Sequence, residues 1–393
     1  MSDTYDIVII GGAMMGSSVA WWLSRHPDFD GSILIVERDP TYEFASTTHT
    51  NSCIRQQFGT EINVRVSQFG VDFIRNSRDY LGADAPDMPF REFGYLYLAG
   101  DEEFAGQLRR NHAVQVLLGA DTLLLEPQEI KERFPFMSTE GLVMGSLGAS
   151  GEGYFDGHGI LAIWREQAKA AGVQRRTGEV VEIPRDGDRV RGVVMADGTR
   201  IDAGALVNCA GPRAAQVAHM AGIDVPVAPC RAYSFVFDTA EPLPVDLPLT
   251  ITPNGVHVRP DSRTRYLAGC MDKAGAGAAY DDFDMDPDIW MDHVWPTLAA
   301  RIPPFERIKV SSEWVGHYAL NTLDHNAIVG LTPDLANFYL CNGFSGHGLQ
   351  QSPAMGRGLA ELIATGSYQT LDLAPLGYDR IAARQPLLEP AVI

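Results

Sequence analysis

The feature that most limits how this chain can fold lies within its first 37 residues. A short apolar run, Asp6-Ile-Val-Ile-Ile10, enters a glycine-rich turn, Gly11-Gly12-Ala13-Met14-Met15-Gly16. A helix-like stretch from Met15 to about His26 follows and is stopped by Pro27. A second apolar run, Ser32-Ile-Leu-Ile-Val36, ends in Glu37. Together these read as a βαβ unit whose helix N-terminus aims free N–H groups at a pyrophosphate. Gly11 permits the tight turn, and Gly16 lets the helix pack closely on the strand. Ala13 stands where the GxGxxG pattern has its middle glycine, so a methyl narrows the phosphate approach there. Glu37 falls 21 residues after Gly16, where a carboxylate accepts from both ribose hydroxyls and repels a 2′-phosphate; Arg38 follows it. An adenine dinucleotide is the expected ligand.

The rest of the chain supplies the company for this unit. Phe90 to Leu98 reads as a strand, Ile160 to Ala171 as a helix, and Val180–Ile183, Val190–Met195 and Ala205–Cys209 as further strands. The last of these is cut off by Ala210-Gly211-Pro212. Val225 to about Gly269 alternates strand runs with Pro and Gly, and Phe338–Cys341 is a final strand. Dinucleotide-fold pieces are thus expected at 1–88, 150–222 and 314–393, and a sheet-rich part at 89–149 and 223–313. The expected class is α/β: a Rossmann-like nucleotide domain with a second, mainly antiparallel domain, both discontinuous.

Composition excludes some roles. The formal charge of −19 repels phosphate backbones and anionic lipid, so nucleic-acid partners are disfavoured. No apolar run approaches the roughly 20 residues of a membrane span, so no membrane insertion is expected. Met1 to Asp6 lacks the basic start of a secretory leader. The five cysteines are widely spaced without a CxxC, which indicates neither zinc nor a disulfide framework and points to the cytoplasm. No metal site is expected. The acidic run Asp281 to Asp288 lacks the glycine and final glutamate of an EF-hand and reads as a solvated loop.

Near the C-terminus, Ser352-Pro353 reads as an N-cap followed by proline at the first helical position, with Gly366 as the stop. Ahead of it runs Gly343-Phe344-Ser345-Gly346-His347-Gly348, a loop through which backbone approaches a flat ring closely. The following helix dipole would stabilise negative charge on a reduced isoalloxazine. This points to FAD, and equally to a plain glycine-rich surface loop.

Three stretches together, Asp6 to Gly16, Val207-Asn-Cys-Ala-Gly-Pro212 and Gly343 to Leu349, resemble the D-amino-acid oxidase superfamily of flavoenzymes. A narrower likeness covers nearly the whole chain. It rests on Val294-Trp-Pro-Thr-Leu298, Arg301 to Glu306, Trp314 to Tyr318, Asn321 to Asp324 and Gly343 to Gln351, and points to the mitochondrial FAD-dependent oxidoreductase-domain proteins associated with complex I assembly. The resemblance implies FAD lying extended in the first domain with its ring against the second. It implies that Gly11, Gly12, Met15 and Gly16 hold the pyrophosphate and Glu37 the ribose. Ala45, Ser46 and Thr47 would touch phosphates and ring, Val181 the adenine, and Ala210 and Gly211 ribose and phosphate. Gly346, His347, Gly348 and Leu349 would lie against the pyrimidine.

On the substrate side, the resemblance makes Arg55 a carboxylate-binding arginine and puts Gln350 where sarcosine oxidase has a second, cationic grip. His257 falls at a substrate-facing position, and Lys273 at that of a lysine linked to oxygen activation. His49 resembles a histidine bonded covalently to flavin in dimethylglycine and sarcosine dehydrogenases, with His317 as the alternative site. Tyr233 and Tyr318 wall the pocket or belong to the core. The implied activity is oxidation of a small secondary amine or amino acid. Hydride passes to flavin N5, water hydrolyses the imine, and O2 or an electron-transfer acceptor takes the electrons. His257 and His347 are candidates to receive the amine proton. The rivals are 2-hydroxy acid oxidation and a flavin-bearing assembly or interaction factor with little turnover.

Overall fold

The structure, a computed structural model, describes residues 3–389. The opening strand Asp3–Ile10 is central to a sheet and pairs in parallel with Ile33–Glu37 on one side and Arg200–Asn208 on the other. Gln174–Thr177 extends the sheet beyond Ile33–Glu37, and Phe338–Asn342 lies beside Arg200–Asn208. The alternation in the first strand follows from two-sided burial. Ile7 and Ile9 face a helical layer, whereas Val8 and Ile10 face a layer that includes Val180, Val193 and Met195.

The helical layer contains α1 (Met14–Leu23), α2 (Glu61–Arg75), α3 (Gly157–Ala170) and α4 (Gly348–Thr365). Trp21 of α1 stacks on Trp164 of α3 at 5.9 Å, and Phe73 of α2 meets the same ring edge-on at 5.7 Å. α1 and α4 cross closely because Gly356 has no side chain where a Cβ would overlap Ser18. The Ser18 hydroxyl donates to the Ser352 carbonyl at 2.7 Å, tying the chain's first helix to its last long one.

α4 starts at Gly348, not at Ser352-Pro353, so Pro353 lies inside the helix. Proline has no N–H for the Leu349 carbonyl, and the Ser352 hydroxyl takes that carbonyl instead at 2.7 Å. Gly366 ends the helix in the left-handed conformation, φ 79°, as its position predicts.

The second sheet has eight strands in the order Ile308–Asn321, Val227–Thr239, Arg265–Ala276, His257–Pro260, Leu249–Ile251, Tyr95–Ala99, Met144–Gly148 and Thr122–Leu125. All neighbours are antiparallel except Leu249–Ile251 beside Tyr95–Ala99. Strand Ile308–Asn321 pairs with Val227–Thr239 along its whole length, so residues 314–321 belong to this sheet and the boundary expected at 314 cuts a strand. Tyr233, Phe235 and Phe237 point into an aromatic core with Tyr266 and Phe305, whereas Ala232 and Ser234, of opposite parity, line a cleft between the sheets.

The last described residues return to the middle of the molecule. Arg380 forms a buried ion pair with Asp324 at 2.7 Å. The Glu389 carboxylate accepts from the Gly59 N–H at 2.8 Å and from Asn63 Nδ2 at 3.1 Å, at the N-terminus of α2. No helix among the described residues is long and apolar enough to cross a membrane.

Candidate active site

The cleft opens outside the carboxyl ends of the parallel strands, where Ile10, Glu37 and Cys209 line it. Open α/β sheets bind ligands in this place because helix N-termini and strand-end loops converge there. The far wall is the second sheet, through Ala232, Ser234, His257, Gly316 and Tyr318.

At the first end the backbone does the shaping. Gly11 has φ +98°, and a Cβ there would overlap the Cys209 carbonyl. A Cβ on Gly16 would overlap the Gly11 carbonyl oxygen. Gly12 and Gly16 therefore back the turn, while Gly11, Ala13, Met14 and Met15 line the cleft. The Gly12 carbonyl is drawn away from the cleft by the Ser17 hydroxyl at 2.7 Å and the Tyr42 hydroxyl at 3.0 Å. Arg175 braces both of those hydroxyls, at 3.0 Å to Tyr42 and 3.1 Å to Ser17. Neither Tyr42 nor Arg175 carries a sequence signal for this role. Glu37 accepts from the Gly12 N–H at 2.7 Å and the Asp39 N–H at 2.8 Å. Each carboxylate oxygen keeps a lone pair for a ribose hydroxyl.

Ala45, Ser46, Thr47 and His49 line the middle of the cleft, with Arg38, Ala210 and Gly211 nearer the ribose end. The Ser46 hydroxyl donates to the His317 carbonyl at 2.5 Å, stitching this loop to the second sheet. Opposite, Ser345, Gly346 and His347 form the loop into α4, and Gly348 and Leu349 begin the helix. Gly346 lies against the Tyr318 ring, where a Cβ would come within 2.9 Å. The first N–H groups of α4 have no intrahelical acceptors, so a second helix N-terminus converges on the cleft.

Two expected cofactor contacts are corrected. Val181 is 49% exposed; strand parity turns it outward, and its neighbour Val180 lines the cleft. Gly343 packs behind the loop against Val227 and Asn321.

At the substrate end side chains do the shaping. Arg55 lines the cleft but is almost wholly buried. Its Nη2 donates to His347 Nε2 at 2.9 Å, and its guanidinium lies 4.5 Å over the Phe58 ring. Gln350 reaches back, its Oε1 accepting from the Arg55 N–H at 2.7 Å. The Nε2 lone pair of His347 is therefore taken. Burial, then the Arg55 charge, holds its pKa well below the usual range. His347 braces Arg55 and is not placed to receive a proton.

His257 also lines the cleft, and burial with a smaller push from Arg259 lowers its pKa to about 4. A base that weak does not hold an amine's proton at neutral pH, which corrects the expected role. Lys273 is exposed on its strand and does not line the cleft. Tyr233 packs in the core, its hydroxyl held by Asp272 at 3.2 Å, and also lines the cleft. Tyr318 lines the cleft with its pKa raised to about 12 by burial, and so stays protonated.

The acidic run is mostly exposed, as a solvated loop should be, but its start is tied to neighbouring arginines. Asp281 pairs with Arg213 at 2.5 Å and Asp282 with Arg231 at 3.2 Å. The Asp282 carbonyl accepts from His317 Nε2 at 2.7 Å, and Phe283 stacks on the His317 ring at 4.2 Å. Asn51, Tyr95, Ser234 and Leu249 complete this end, and no motif marks them.

The residues fit FAD. A glycine turn that a Cβ would fill, an acidic strand end with spare acceptors and two helix N-termini lie along one cleft. A two-sheet protein with this topology and this cleft is a flavin-dependent oxidoreductase by class.

Comparison with known proteins gives the particular family. The model described as "DAO: FAD dependent oxidoreductase" matches residues 6–362, and the chain belongs to that family. It is 36% identical over 423 residues to FAD-dependent oxidoreductase domain-containing protein 1 of Xenopus laevis, covering 99% of this chain and 85% of the relative. L-proline dehydrogenase from P. horikoshii superposes with a TM-score of 0.84 at 25% identity, covering 98% of this chain and 99% of that one. Glycine oxidase from Geobacillus kaustophilus shares the fold with a TM-score of 0.80 at 21% identity, covering 96% and 98%.

Proposed function

We propose that this protein oxidises a small secondary amine or amino acid at the carbon next to nitrogen. The observation that carries this is the charge layout of the cleft. Its acidic lining residues, Glu37, Asp39 and Glu179, lie at the ribose end, whereas the substrate end has the buried Arg55 guanidinium and histidines with lowered pKa values. Such an end accepts a carboxylate and rejects an ammonium, so an amine enters it neutral. Hydride leaves carbon only as the nitrogen lone pair forms the C=N bond, which requires that neutral form. FAD, when bound, supplies the hydride acceptor. The protein's share is to grip the carboxylate with Arg55, hold Arg55 with His347 and Gln350, and line the C–H bond up with the cleft. Water then hydrolyses the imine. The likeness to an enzyme described as an L-proline dehydrogenase, whose substrate is a secondary amine bearing a carboxylate, supports this reading.

The layout also suits covalent attachment of FAD at His49. Its Nδ1 lies 3.3 Å from the Ala45 carbonyl, and donation there leaves the Nε2 lone pair free. Burial lowers its pKa and keeps the ring neutral. His317, by contrast, has Nε2 engaged by Asp282 and its face covered by Phe283. Acid precipitation tests this: the pellet should stay yellow and its flavopeptide should contain His49, and colour released to the supernatant excludes attachment.

The activity is tested by anaerobic bleaching of the flavin with a panel of secondary amines, amino acids and 2-hydroxy acids. Amines should bleach it. Bleaching by hydroxy acids alone would overturn the proposal, and bleaching by nothing would favour the interaction-factor role.

A further inference from the structure

The substrate end holds a polar pair that the oxidation itself does not use. Asn51, from the loop beyond Glu37, meets His257, the first residue of strand His257–Pro260, with Nδ2 2.7 Å from Nε2. Both line the cleft. The pair therefore joins the two halves of the molecule. His257 is 4% exposed, and its place is made by Gly269, its register partner. A Cβ on Gly269 would lie 3.0 Å from Nε2 and 3.1 Å from Cε1.

A neutral imidazole has one donor and one acceptor, and a carboxamide has both kinds. If Asn51 Nδ2 donates to Nε2, the pair retains an Nδ1–H donor and the Asn51 Oδ1 acceptor. If the amide is turned round, Nε2–H donates to Oδ1, leaving the Nδ1 lone pair and an Nδ2–H. Counting the second N–H of the amide, either way two donors and one unpartnered acceptor atom remain. His257 Nδ1 and Asn51 Oδ1 are both buried without a hydrogen-bond partner among the described residues. Buried polar atoms are seldom left so, because each has given up its hydrogen bonds to water without a replacement.

We propose that Asn51 and His257 form a recognition pair for a neutral polar group, a hydroxyl or carboxamide, on the arm of the substrate remote from its carboxylate. An ammonium has no acceptor, a carboxylate no donor, and a methyl neither, so none of these completes the pair. This deepens the amine-oxidation reading and rests on it. Specificity of this kind is strong because a substrate lacking the group leaves two buried atoms unpaired.

The experiment measures anaerobic flavin reduction with matched substrates: proline against 4-hydroxyproline, and sarcosine against N-(2-hydroxyethyl)glycine and N-(carbamoylmethyl)glycine. In the wild type the hydroxyl or carboxamide member should be favoured by about 10- to 100-fold in kcat/KM. His257→Phe and Asn51→Leu should bring that ratio close to one. His257→Asn, whose amide reaches where Nδ1 stood, should keep part of it. The ratio is taken within each variant, so a general loss of rate cancels. Equal reduction by both members in the wild type would mean that the pair holds only water. The inference would then fail while amine oxidation stands. If no member reduces the flavin, the oxidation reading fails and the inference with it.

Discussion

The two ends of the cleft are built by different means. At the ribose end the recognising atoms are mostly backbone N–H groups, joined by the one carboxylate of Glu37, and are held by glycine contacts with Cys209 and Gly11 and by the brace of Ser17, Tyr42 and Arg175 behind Gly12. At the substrate end they are side chains, Arg55, Asn51 and His257, each placed by another side chain. Backbone recognition tolerates drift in sequence as long as the turn survives, and Ala13 at the middle position is an instance. Side-chain recognition changes with every substitution. The first end therefore marks the family, and the second decides the substrate.

The largest expected effect tests the first end. Gly16→Val drives a branched side chain into the Gly11 carbonyl and should abolish flavin binding. The purified variant should be colourless and resist reconstitution with FAD. A yellow Gly16→Val protein would mean that the turn is softer than its contacts require.

The second test concerns a buried acid behind the substrate end. Glu152 is buried, and burial raises its pKa from the ordinary 4.5 to about 7, against hydrogen bonds from Gln57 and the Gln56 N–H. The folded form therefore holds its proton to higher pH than the unfolded chain does. Its contribution is full below pH 4.5 and lost as pH rises through about 7. At pH 8 that loss is about 3 kcal/mol, which Glu152→Gln escapes. Urea unfolding should find the variant gaining on the wild type between pH 5 and pH 8, and a pH-independent difference would refute it.

The third test sharpens the contrast. Arg55→Ala should raise KM for carboxylated amines by about 10- to 100-fold, with a much smaller fall in kcat and FAD still bound. Loss of flavin instead would show that the two ends are not separable. The smallest expected effect is none. Lys273→Met should reoxidise as fast as the wild type, because Lys273 lies outside the cleft. Slower reoxidation in stopped flow would restore its link to oxygen.

This division explains what could be read from the sequence. The ribose end was legible because a βαβ turn depends on local order: strand, glycines, helix and acid follow one another from Asp6 to Glu37. The substrate end depends on tertiary partners. His347 resembles a free base until Arg55, 292 positions away in the chain, takes its lone pair. Val181 shows how one step of strand parity turns a side chain out of a site, and Lys273 lies on a strand that does not line the cleft at all. Ser352-Pro353 resembles a helix start, and only the hydroxyl bond to Leu349 lets the helix begin earlier. Nothing around Glu152 in sequence announces a buried acid. Its space comes from Gly148, where a Cβ would overlap the carboxylate.

The tie between Ser18 and Ser352 gives the molecule a history as well as a shape. A ribosome adding about 5–20 residues per second needs roughly 17 to 67 s to get from α1 to α4. Through most of that time the opening strand and α1 exist without α4, and the glycine turn without the loop that faces it. Arg380 and Glu389, which secure the neighbourhood of α4 and α2, are made later still. The nascent chain has no finished place for flavin until α4 has left the exit tunnel. Cofactor loading therefore waits on the synthesis of α4, and a chain stopped short of α4 should be born unable to take the cofactor up.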